Sequence, residues 1–338
     1  METIKEIEKQ KEYIEKVKKI NENKNFKYSI LTMGCQLNEN DSEKLCGMLE
    51  EMGYTRTENQ KEADLALFNT CCVRENAEDK LFGKLGELKK IKEERGTIIT
   101  IGGCMMQEKH ITDKIKESYP FTDIIFGTHT LHKFPQDLYE VIENKTKLED
   151  VLDIDGKVYE GLPIKRDSSI KASVTIMNGC NNFCSYCIVP YVRGRERSRE
   201  PRAIIEEVRE LAKQGYKEIT LLGQNVNSYL RVEREKGIEF EEYEGVNSFA
   251  TLLRAVNKID GIERIRFVSP HPKDFTDDVI KAIAECDKVC KLVHLPLQSG
   301  NTKVLKEMNR KYTKEQYLNL VEKMKAGIPN LTLSTDII

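Results

Sequence analysis

The sequence predicts an α/β protein, with an open parallel α/β sheet domain at the N-terminus followed by an incomplete TIM-like (β/α) barrel. Short apolar segments of strand length alternate with amphipathic helical segments along most of the 338 residues, a pattern typical of parallel sheets with helical crossovers. A polar stretch at 144–167 separates this alternation into two series. The length is sufficient for two domains of ordinary size.

The predicted organisation has four parts, namely a charged helical extension at 1–25, an N-terminal domain at 26–143, a linker at 144–167 and the barrel at 168–338. The extension carries apolar residues at roughly helical spacing on a Lys/Glu-rich background. We interpret it as a frayed, solvated extension in preference to a packing helix.

In the first series, three successive predicted strands each end in a cysteine. The strands Lys27–Met33, Asp64–Phe68 and Thr97–Ile101 are followed by Cys35, Cys71 and Cys104, with predicted helices at Asp41–Met52 and 77–94. Because the carboxyl ends of parallel strands lie along one edge of a sheet, the sequence predicts that these cysteines meet in a second three-cysteine metal site. Ordinary core thiols are the alternative. Gly34 and Gly103 are expected to let the backbone approach a bulky cluster closely.

The second series predicts five strands and four helical crossovers of a barrel. The predicted strands are Val174–Met177, Glu218–Leu222, Arg264–Val268, Val289–Leu295 and Leu331–Ile338, and the helices are Pro201–Gln214, Ser248–Asp260, Thr276–Glu285 and Thr313–Ala326. The loop after the first strand lies on the barrel face that carries active sites.

That loop contains Cys180, Cys184 and Cys187 in a C-x3-C-x2-C pattern. Three thiolates at this spacing fit a 4Fe–4S cluster and leave its fourth iron open for a small chelating molecule. A zinc site is the alternative, but zinc usually takes four ligands with paired CxxC spacing, and no fourth Cys or His lies near this loop. The motif therefore favours an iron–sulfur cluster.

Composition narrows the class of protein. Ten cysteines without an export signal indicate metal binding or chemistry in a reducing cytoplasm rather than a disulfide framework. No apolar stretch approaches the roughly 20 residues that span a bilayer, so no membrane association is expected. The formal net charge is −2, so RNA binding would require a local basic patch.

An arginine-rich segment directly follows the cysteine loop. Arg193, Arg195, Arg197 and Arg199 are candidates for phosphate binding, because guanidinium groups pair bidentately with phosphates. A solvated charged loop is the alternative. For His271 and His294, at predicted strand ends, core or capping roles are favoured over catalysis.

From Phe26 to Ile338, these residues resemble the radical S-adenosylmethionine (SAM) methylthiotransferases. The resemblance rests on Met33-Gly-Cys-Gln-Leu-Asn38, Asn69-Thr-Cys71, Gly102-Gly-Cys104 and the stretch Gly179–Arg199. Further segments are similar to the branch acting on N6-dimethylallyladenosine in tRNA: Gly223–Tyr229, Ser269–Asp274, His294–Gly300 and Met308-Asn-Arg-Lys-Tyr312.

The resemblance implies methylthiolation of C2 of N6-dimethylallyladenosine at position 37 of tRNA. It implies two 4Fe–4S clusters. One cleaves SAM and is bound by Cys180, Cys184 and Cys187, and the auxiliary one supplies sulfur and is bound by Cys35, Cys71 and Cys104. By the same resemblance, all six cysteines are expected to be catalytic. The implied SAM or substrate contacts are Tyr186, Gln224, Asn225, Gln298 and Ser299. The target base would be splayed from the anticodon loop.

The expected partners are tRNA and an electron donor such as flavodoxin or ferredoxin, and a cytoplasmic monomer is expected. The family continues beyond Ile338 with further barrel elements and a small RNA-binding β-domain, so the sequence is expected to be C-terminally truncated. The alternatives are the branches acting on threonylcarbamoyladenosine in tRNA or on a ribosomal protein. A non-catalytic, metal-dependent RNA-binding protein is an alternative of a different class.

Overall fold

The fold is that of a computed structural model. The structure describes residues 2–72, 77–152, 156–238 and 240–338. The chain divides into two compact units. The first comprises Met1–Asp167 and Tyr191–Arg193, and the second Ser168–Pro190 and Gly194–Ile338. No helix in the described part of the chain is both long and apolar enough to cross a membrane.

The first unit is built on a six-stranded parallel sheet in the order β2-β1-β3-β4-β5-β6. Its strands are β1 (Lys27–Thr32), β2 (Thr55–Arg56), β3 (Leu65–Thr70), β4 (Ile98–Gly103), β5 (Ile124–Phe126) and β6 (Leu148–Asp150). Its helices are α1 (Glu2–Asn21), α2 (Gln36–Glu51), α3 (Ala77–Arg95), α4 (Lys109–Ser118) and α5 (Phe134–Asn144). Short 3₁₀ helices lie at Gln60–Glu62, Cys104–Gln107 and Leu131–Lys133.

Helices cover both faces of this sheet. Successive residues of a strand point to opposite faces, and β3 accordingly contributes to two hydrophobic cores. Leu65 and Leu67 pack with residues of α1, α2 and α5, whereas Ala66 and Phe68 pack with residues of α3 and α4. The sequence-based prediction of an open parallel α/β sheet is confirmed.

The second unit contains the parallel strands β7 (Lys171–Thr175), β10 (Glu218–Leu222), β11 (Arg264–Phe267), β12 (Leu292–His294) and β13 (Thr332–Ser334). The parallel bridge Ile265–Val289 joins β11 to the residues before β12. The short strands β8 (Met177–Asn178) and β9 (Arg197–Ser198) pair antiparallel. The five predicted barrel strands are confirmed.

The helices of this series are α6 (Val189–Val192), α7 (Pro201–Lys213), α8 (Arg231–Glu235), α9 (Phe249–Asn257), α10 (Asp277–Glu285), α11 (Thr302–Glu307) and α12 (Lys314–Gly327). The first two residues of α6 belong to the second unit and the last two to the first unit. Short 3₁₀ helices lie at Val226–Ser228 and Pro272–Asp274. One apolar core joins strands and helices of the second unit.

Three details of the sequence interpretation are wrong. The N-terminal segment is not frayed, because α1 buries Ile14 and Val17 in the core shared with α5. Helix α2 begins at Gln36, before the predicted Asp41, and the polar Asn38 in its first turn is buried and donates to the carbonyl of Thr70. The proposed linker contains β6, the edge strand of the sheet, which pairs with β5.

Ile14 provides a test of the packing of α1. Its side chain is 2% exposed, whereas Ile4 on the same helix is 62% exposed. Ile14→Ala is expected to lower the free energy of unfolding by about 2–5 kcal/mol, the usual cost of emptying a buried aliphatic site. Urea denaturation measures the change, with Ile4→Ala as the control. Equal effects of the two substitutions would contradict the packed position of α1.

Candidate metal and cofactor centres

In the first unit, three cysteines lie at the carboxyl ends of neighbouring strands. Cys35 follows β1 and is the N-cap of α2, Cys71 directly follows β3, and Cys104 begins the 3₁₀ helix after β4. Strands β1, β3 and β4 are adjacent and parallel. The sheet topology therefore brings the three cysteines to one edge, as the sequence predicted.

The thiols are close enough to affect one another. Burial raises the pKa of Cys104, and the nearby Cys71 and Asp41 raise it further. Arg193 opposes this shift, and its guanidinium lies 3.1 Å from Cys104 Sγ, measured from Nε. Arg193 also interacts electrostatically with Cys35. Cys71 and Cys104 are buried and Cys35 is exposed.

A buried network of side-chain amides holds the segments that carry these cysteines. The Cys35 thiol donates to Asn38 Oδ1 (3.3 Å), and Asn38 Nδ2 donates to the carbonyl of Thr70 (2.9 Å). Asn69 Nδ2 donates to the carbonyl of Asn38 (2.8 Å) and to Ser42 Oγ (2.9 Å). The start of α2 and the end of β3 are thus connected beside the cysteines, which the sequence analysis did not recognise.

The neighbouring glycines lie against the amide network. A Cβ on Gly34 would lie 2.6 Å from Asn38. Gly103 has φ +101°, and its Cβ would lie 2.5 Å from both Asn69 Oδ1 and the carbonyl of Thr70. The space around these glycines is filled by the amide network, so packing within the protein requires glycine there.

In the second unit, the loop with Cys180, Cys184 and Cys187 is framed by the pairing of β8 with β9. The amide of Cys180 donates to the carbonyl of Gly194 (3.1 Å). Asn309 Nδ2 donates to the carbonyls of Asn182 (3.1 Å) and Phe183 (2.8 Å) within the loop. Asn309, in the segment Met308–Tyr312, therefore holds the loop in place.

Arg310 contacts the same loop. Its Nη1 lies 3.4 Å from Cys184 Sγ and 3.4 Å from the Tyr186 hydroxyl, and its Nε donates to the Tyr312 hydroxyl (2.9 Å). Burial, together with Glu196, Cys187 and Cys184, raises the pKa of Cys180 to about 12. Each cysteine set thus has a buried arginine that donates to one of its sulfurs.

Buried polar atoms of the second unit with no hydrogen-bond partner among the described residues include Asn182 Nδ2, Asn225 Oδ1 and His271 Nε2. Lys273 connects two of these residues through their other polar atoms, since its Nζ donates to Asn182 Oδ1 and its amide donates to His271 Nδ1. Burial, with Arg310, Lys273 and Arg231, lowers the pKa of His271 to about 2, so its imidazole is neutral. Unsatisfied buried polar atoms beside the cysteine loop suit a polar ligand.

The predicted SAM contacts lie in different environments. Tyr186 is 49% exposed, and Gln224 Oε1 accepts from the amide of Gly179. Asn225 is fully buried, and its Nδ2 donates to Glu196 Oε1 (3.1 Å) and Asp274 Oδ2 (2.8 Å). Gln298 and Ser299 follow β12, where Gln298 has φ +72° and Ser299 Oγ accepts from the amide of Asn301 (3.3 Å).

The structure contradicts two of the predicted RNA contacts. Arg193 is buried and pairs with Asp41 Oδ2 at 2.7 Å. Arg199 is also largely buried, donates to the carbonyl of Thr175 (2.6 Å) and pairs with Glu207 (2.8 Å). Guanidinium groups held inward by carboxylates are not presented to an external phosphate.

The other two arginines remain candidates for RNA binding. Arg195 is exposed, with its guanidinium carbon 4.8 Å from the Phe183 ring centroid. Arg197 lies in β9 and is half-buried.

Each of the two cysteine sets provides the type of ligand that a 4Fe–4S cluster requires, namely cysteine thiolates. Among the described residues, no group of three His, Cys, Asp or Glu side chains is arranged to hold a single metal ion. In a 4Fe–4S cluster each thiolate binds a different iron, so its ligands do not converge on one point. Each unit has three cysteines and an arginine that donates to one of their sulfurs, and the second unit also has unsatisfied buried polar atoms. These features fit one cluster in each unit.

Two family models match the chain. The model described as "Uncharacterized protein family UPF0004" matches residues 27–127, which contain Cys35, Cys71 and Cys104. The model of the radical SAM superfamily matches residues 174–338, which contain the loop with Cys180, Cys184 and Cys187.

Curated relatives are similar over nearly the whole chain. A protein of Clostridium perfringens named tRNA-2-methylthio-N(6)-dimethylallyladenosine synthase is 58% identical over 312 residues, covering 92% of this chain and 68% of the relative. A protein of the same name from Acetivibrio thermocellus is 53% identical over 340 residues, covering 98% of this chain and 69% of the relative. This chain therefore spans about two thirds of their length.

Solved structures with a similar fold are more distant in sequence. The radical SAM methyltransferase TsrM of Kitasatospora setae superposes with a TM-score of 0.60 at 14% identity, covering 91% of this chain and 67% of that one. The cobalamin-dependent radical SAM enzyme OxsB gives a TM-score of 0.60 at 14% identity, covering 93% of this chain and 49% of that one. At this identity the likeness establishes the fold alone.

The curated relatives match 92% and 98% of this chain, and the two family models together include both cysteine sets. The chain accordingly belongs to the radical SAM methylthiotransferases, in the family of the tRNA-2-methylthio-N(6)-dimethylallyladenosine synthases.

Proposed function

We propose that the protein methylthiolates C2 of N6-dimethylallyladenosine at position 37 of tRNA, using SAM and two 4Fe–4S clusters. One combined observation carries the proposal. The chain is 58% identical to a relative named for this activity, and it places two sets of three cysteines at strand ends, one set in each unit.

The cysteines would hold the two clusters, Cys180, Cys184 and Cys187 one of them and Cys35, Cys71 and Cys104 the other. When bound, the clusters and SAM supply the electron, the radical precursor and the sulfur for a reaction at an unactivated C–H bond, which acid–base groups cannot carry out. The protein contributes the rigid placement of the thiols. Asn309 orders the loop of the second unit, and the Asn38–Asn69 network orders the cysteine segments of the first.

Contacts to SAM are assigned to the carboxyl ends of the barrel strands. Tyr186, Gln224, Gln298 and Ser299 are proposed to contact SAM or the substrate, in line with the usual position of active sites in such barrels. Asn225 has an unsatisfied buried Oδ1 while its Nδ2 is held by Glu196 and Asp274. We assign Asn225 to the same site as a positioned acceptor.

RNA binding is assigned to Arg195 and Arg197. The exposed Arg195 suits a phosphate of the anticodon loop, since arginine pairs bidentately with phosphate. Arg193 and Arg199 are excluded from this role because carboxylates hold them inward. The further partners proposed are an electron donor such as flavodoxin or ferredoxin, and the protein is proposed to act as a cytoplasmic monomer.

Mass spectrometry of tRNA nucleosides tests the function. Cells lacking the gene are expected to accumulate N6-dimethylallyladenosine and to lose its 2-methylthio derivative, and the gene is expected to restore it. Cys184→Ala is expected not to restore the product, whereas Cys290→Ala, at a cysteine outside both sets, is the matched control. A change only in threonylcarbamoyladenosine, or only in a ribosomal protein, would support a sister branch instead.

A further inference from the structure

The segment Tyr191–Arg193 belongs to the first unit. Thr128 Oγ1 donates to the carbonyl of Val192 at 2.6 Å, which holds the segment beside β5. The Arg193 side chain then enters the sheet edge where the cysteines lie. It is 6% exposed, Nε lies 3.1 Å from Cys104 Sγ, and Nη1 lies 2.7 Å from Asp41 Oδ2 on α2.

The guanidinium remains charged in this position. An arginine guanidinium stays protonated in proteins, and here the Asp41 carboxylate pairs with it. A buried cation paired with the Asp41 carboxylate therefore lies against a thiol predicted to bind a cluster. Its planar guanidinium donates to the sulfur through Nε and to the carboxylate through Nη1, in a fixed geometry that the flexible ammonium group of lysine does not provide.

If the pair of Arg193 with Asp41 only stabilised the fold, it would not require the contact of Arg193 Nε with Cys104 Sγ. Helix α2 carries another buried pair nearby, in which Arg166 Nη1 lies 2.7 Å from Glu43 Oε2. The two pairs have similar burial and the same Nη1–carboxylate distance. The feature specific to Arg193 is that Nε points at Cys104 Sγ, a predicted ligand atom.

We propose that Arg193 is a positioning residue of the first-unit cluster, which holds Cys104 Sγ through Nε while Asp41 fixes its guanidinium, and that this pair sets the reduction potential of the cluster. The inference rests on the proposed function, because it requires a 4Fe–4S cluster on Cys35, Cys71 and Cys104. It also explains why an arginine of the predicted RNA-binding segment is buried.

The two charges act with opposite sign. A hydrogen bond to a ligand sulfur and a nearby positive charge both stabilise the reduced cluster, so they raise its potential. The Asp41 carboxylate opposes this effect. Arg193→Gln removes the cation and leaves Asp41 unneutralised, which lowers the potential. Asp41→Asn leaves the cation uncompensated, which raises it.

The test uses the full chain with Cys180, Cys184 and Cys187 replaced by alanine, so that every signal comes from the first-unit cluster. After anaerobic reconstitution, iron and sulfide are counted and the midpoint potential is measured by a redox titration followed by electron paramagnetic resonance. At the midpoint of this parent protein, the ratio of reduced to oxidised cluster is expected to fall about tenfold in Arg193→Gln and to rise about tenfold in Asp41→Asn. A tenfold change equals about 59 mV for one electron.

Arg166→Gln is the matched control and is expected to leave the potential unchanged. If Arg193→Gln does not fold, Asp41→Asn tests the sign on its own. Potentials that match the control, or shifts of the same sign in both variants, would overturn the role of Arg193 while leaving the function intact. A folded parent protein that does not bind about four irons would instead overturn the cluster assignment, and with it the proposed function.

Discussion

Replacing Cys71 by alanine is expected to abolish methylthiolation while SAM cleavage continues. Cys71 lies in the first unit at the end of β3, and the loop with Cys180, Cys184 and Cys187 belongs to the second unit with its own supporting contacts. The loss of one thiol from a set of three should leave the other set intact. We expect product formation below about one hundredth of wild type, the scale at which loss of an essential group is usually seen, with 5′-deoxyadenosine still formed.

The measurement is a paired assay of 5′-deoxyadenosine and methylthiolated nucleoside under reducing, anaerobic conditions. Cys72→Ala is the matched control, since Cys72 is the next residue and pairs with Glu108. It is expected to retain most of its activity. Cys184→Ala should lose both products. A well-folded Cys71→Ala protein that no longer cleaves SAM would contradict the division of labour between the two sets.

The second large effect concerns stability and comes from a buried carboxyl group. Burial, and then the nearby Asp150, raises the pKa of Asp137 to about 8, whereas Lys133 acts in the opposite direction. Asp137 Oδ2 also has no hydrogen-bond partner among the described residues. In the folded protein this carboxyl therefore stays protonated up to about pH 8, whereas in the unfolded chain it ionises near pH 4.

The direction of the pH effect follows from proton binding. Between about pH 4 and 8 the folded state holds one more proton than the unfolded chain, so Asp137 lowers stability progressively as the pH rises through this range. Asp137→Asn removes the effect because the amide is neutral at every pH. The variant is expected to gain stability over wild type by up to about 1.4 kcal/mol for each pH unit in that window.

Urea denaturation of the cluster-free chain at several pH values measures this difference. Asp79→Asn, at an exposed aspartate in the first turn of α3, is the control and should show no such slope. A stability difference between Asp137→Asn and wild type that is independent of pH would mean that Asp137 ionises alike in the folded and unfolded states.

The sequence was most informative where local patterns and cysteine spacing carry the argument. The alternation of strand and helix predicted both parallel sheets, and the predicted strand Glu218–Leu222 matches β10 residue for residue. The position of Cys35, Cys71 and Cys104 at strand ends was also predictable. In a parallel sheet the strand end alone determines the edge at which a residue lies.

Contacts between residues far apart in sequence were not predictable in this way. The helical spacing of α1 was visible, but its burial depends on α5, more than a hundred residues away. Arg193, Arg195 and Arg199 are alike in the sequence, yet Arg193 is buried, Arg199 is largely buried and Arg195 is exposed. A charged side chain is buried when a carboxylate is available at the right place, and a linear pattern does not show where that carboxylate lies.

By itself, the sequence determined the fold class, the two cysteine sets and the chemistry that such sets support, because thiol spacing and strand periodicity are local properties of the chain. The tertiary structure decided which side chains surround those thiols. It assigned Arg193 to Cys104 and Asp41, Arg310 to Cys184, and Asn309 to the backbone of the loop. These contacts join segments up to 127 residues apart, so they depend on the tertiary fold and no local pattern of the sequence shows them.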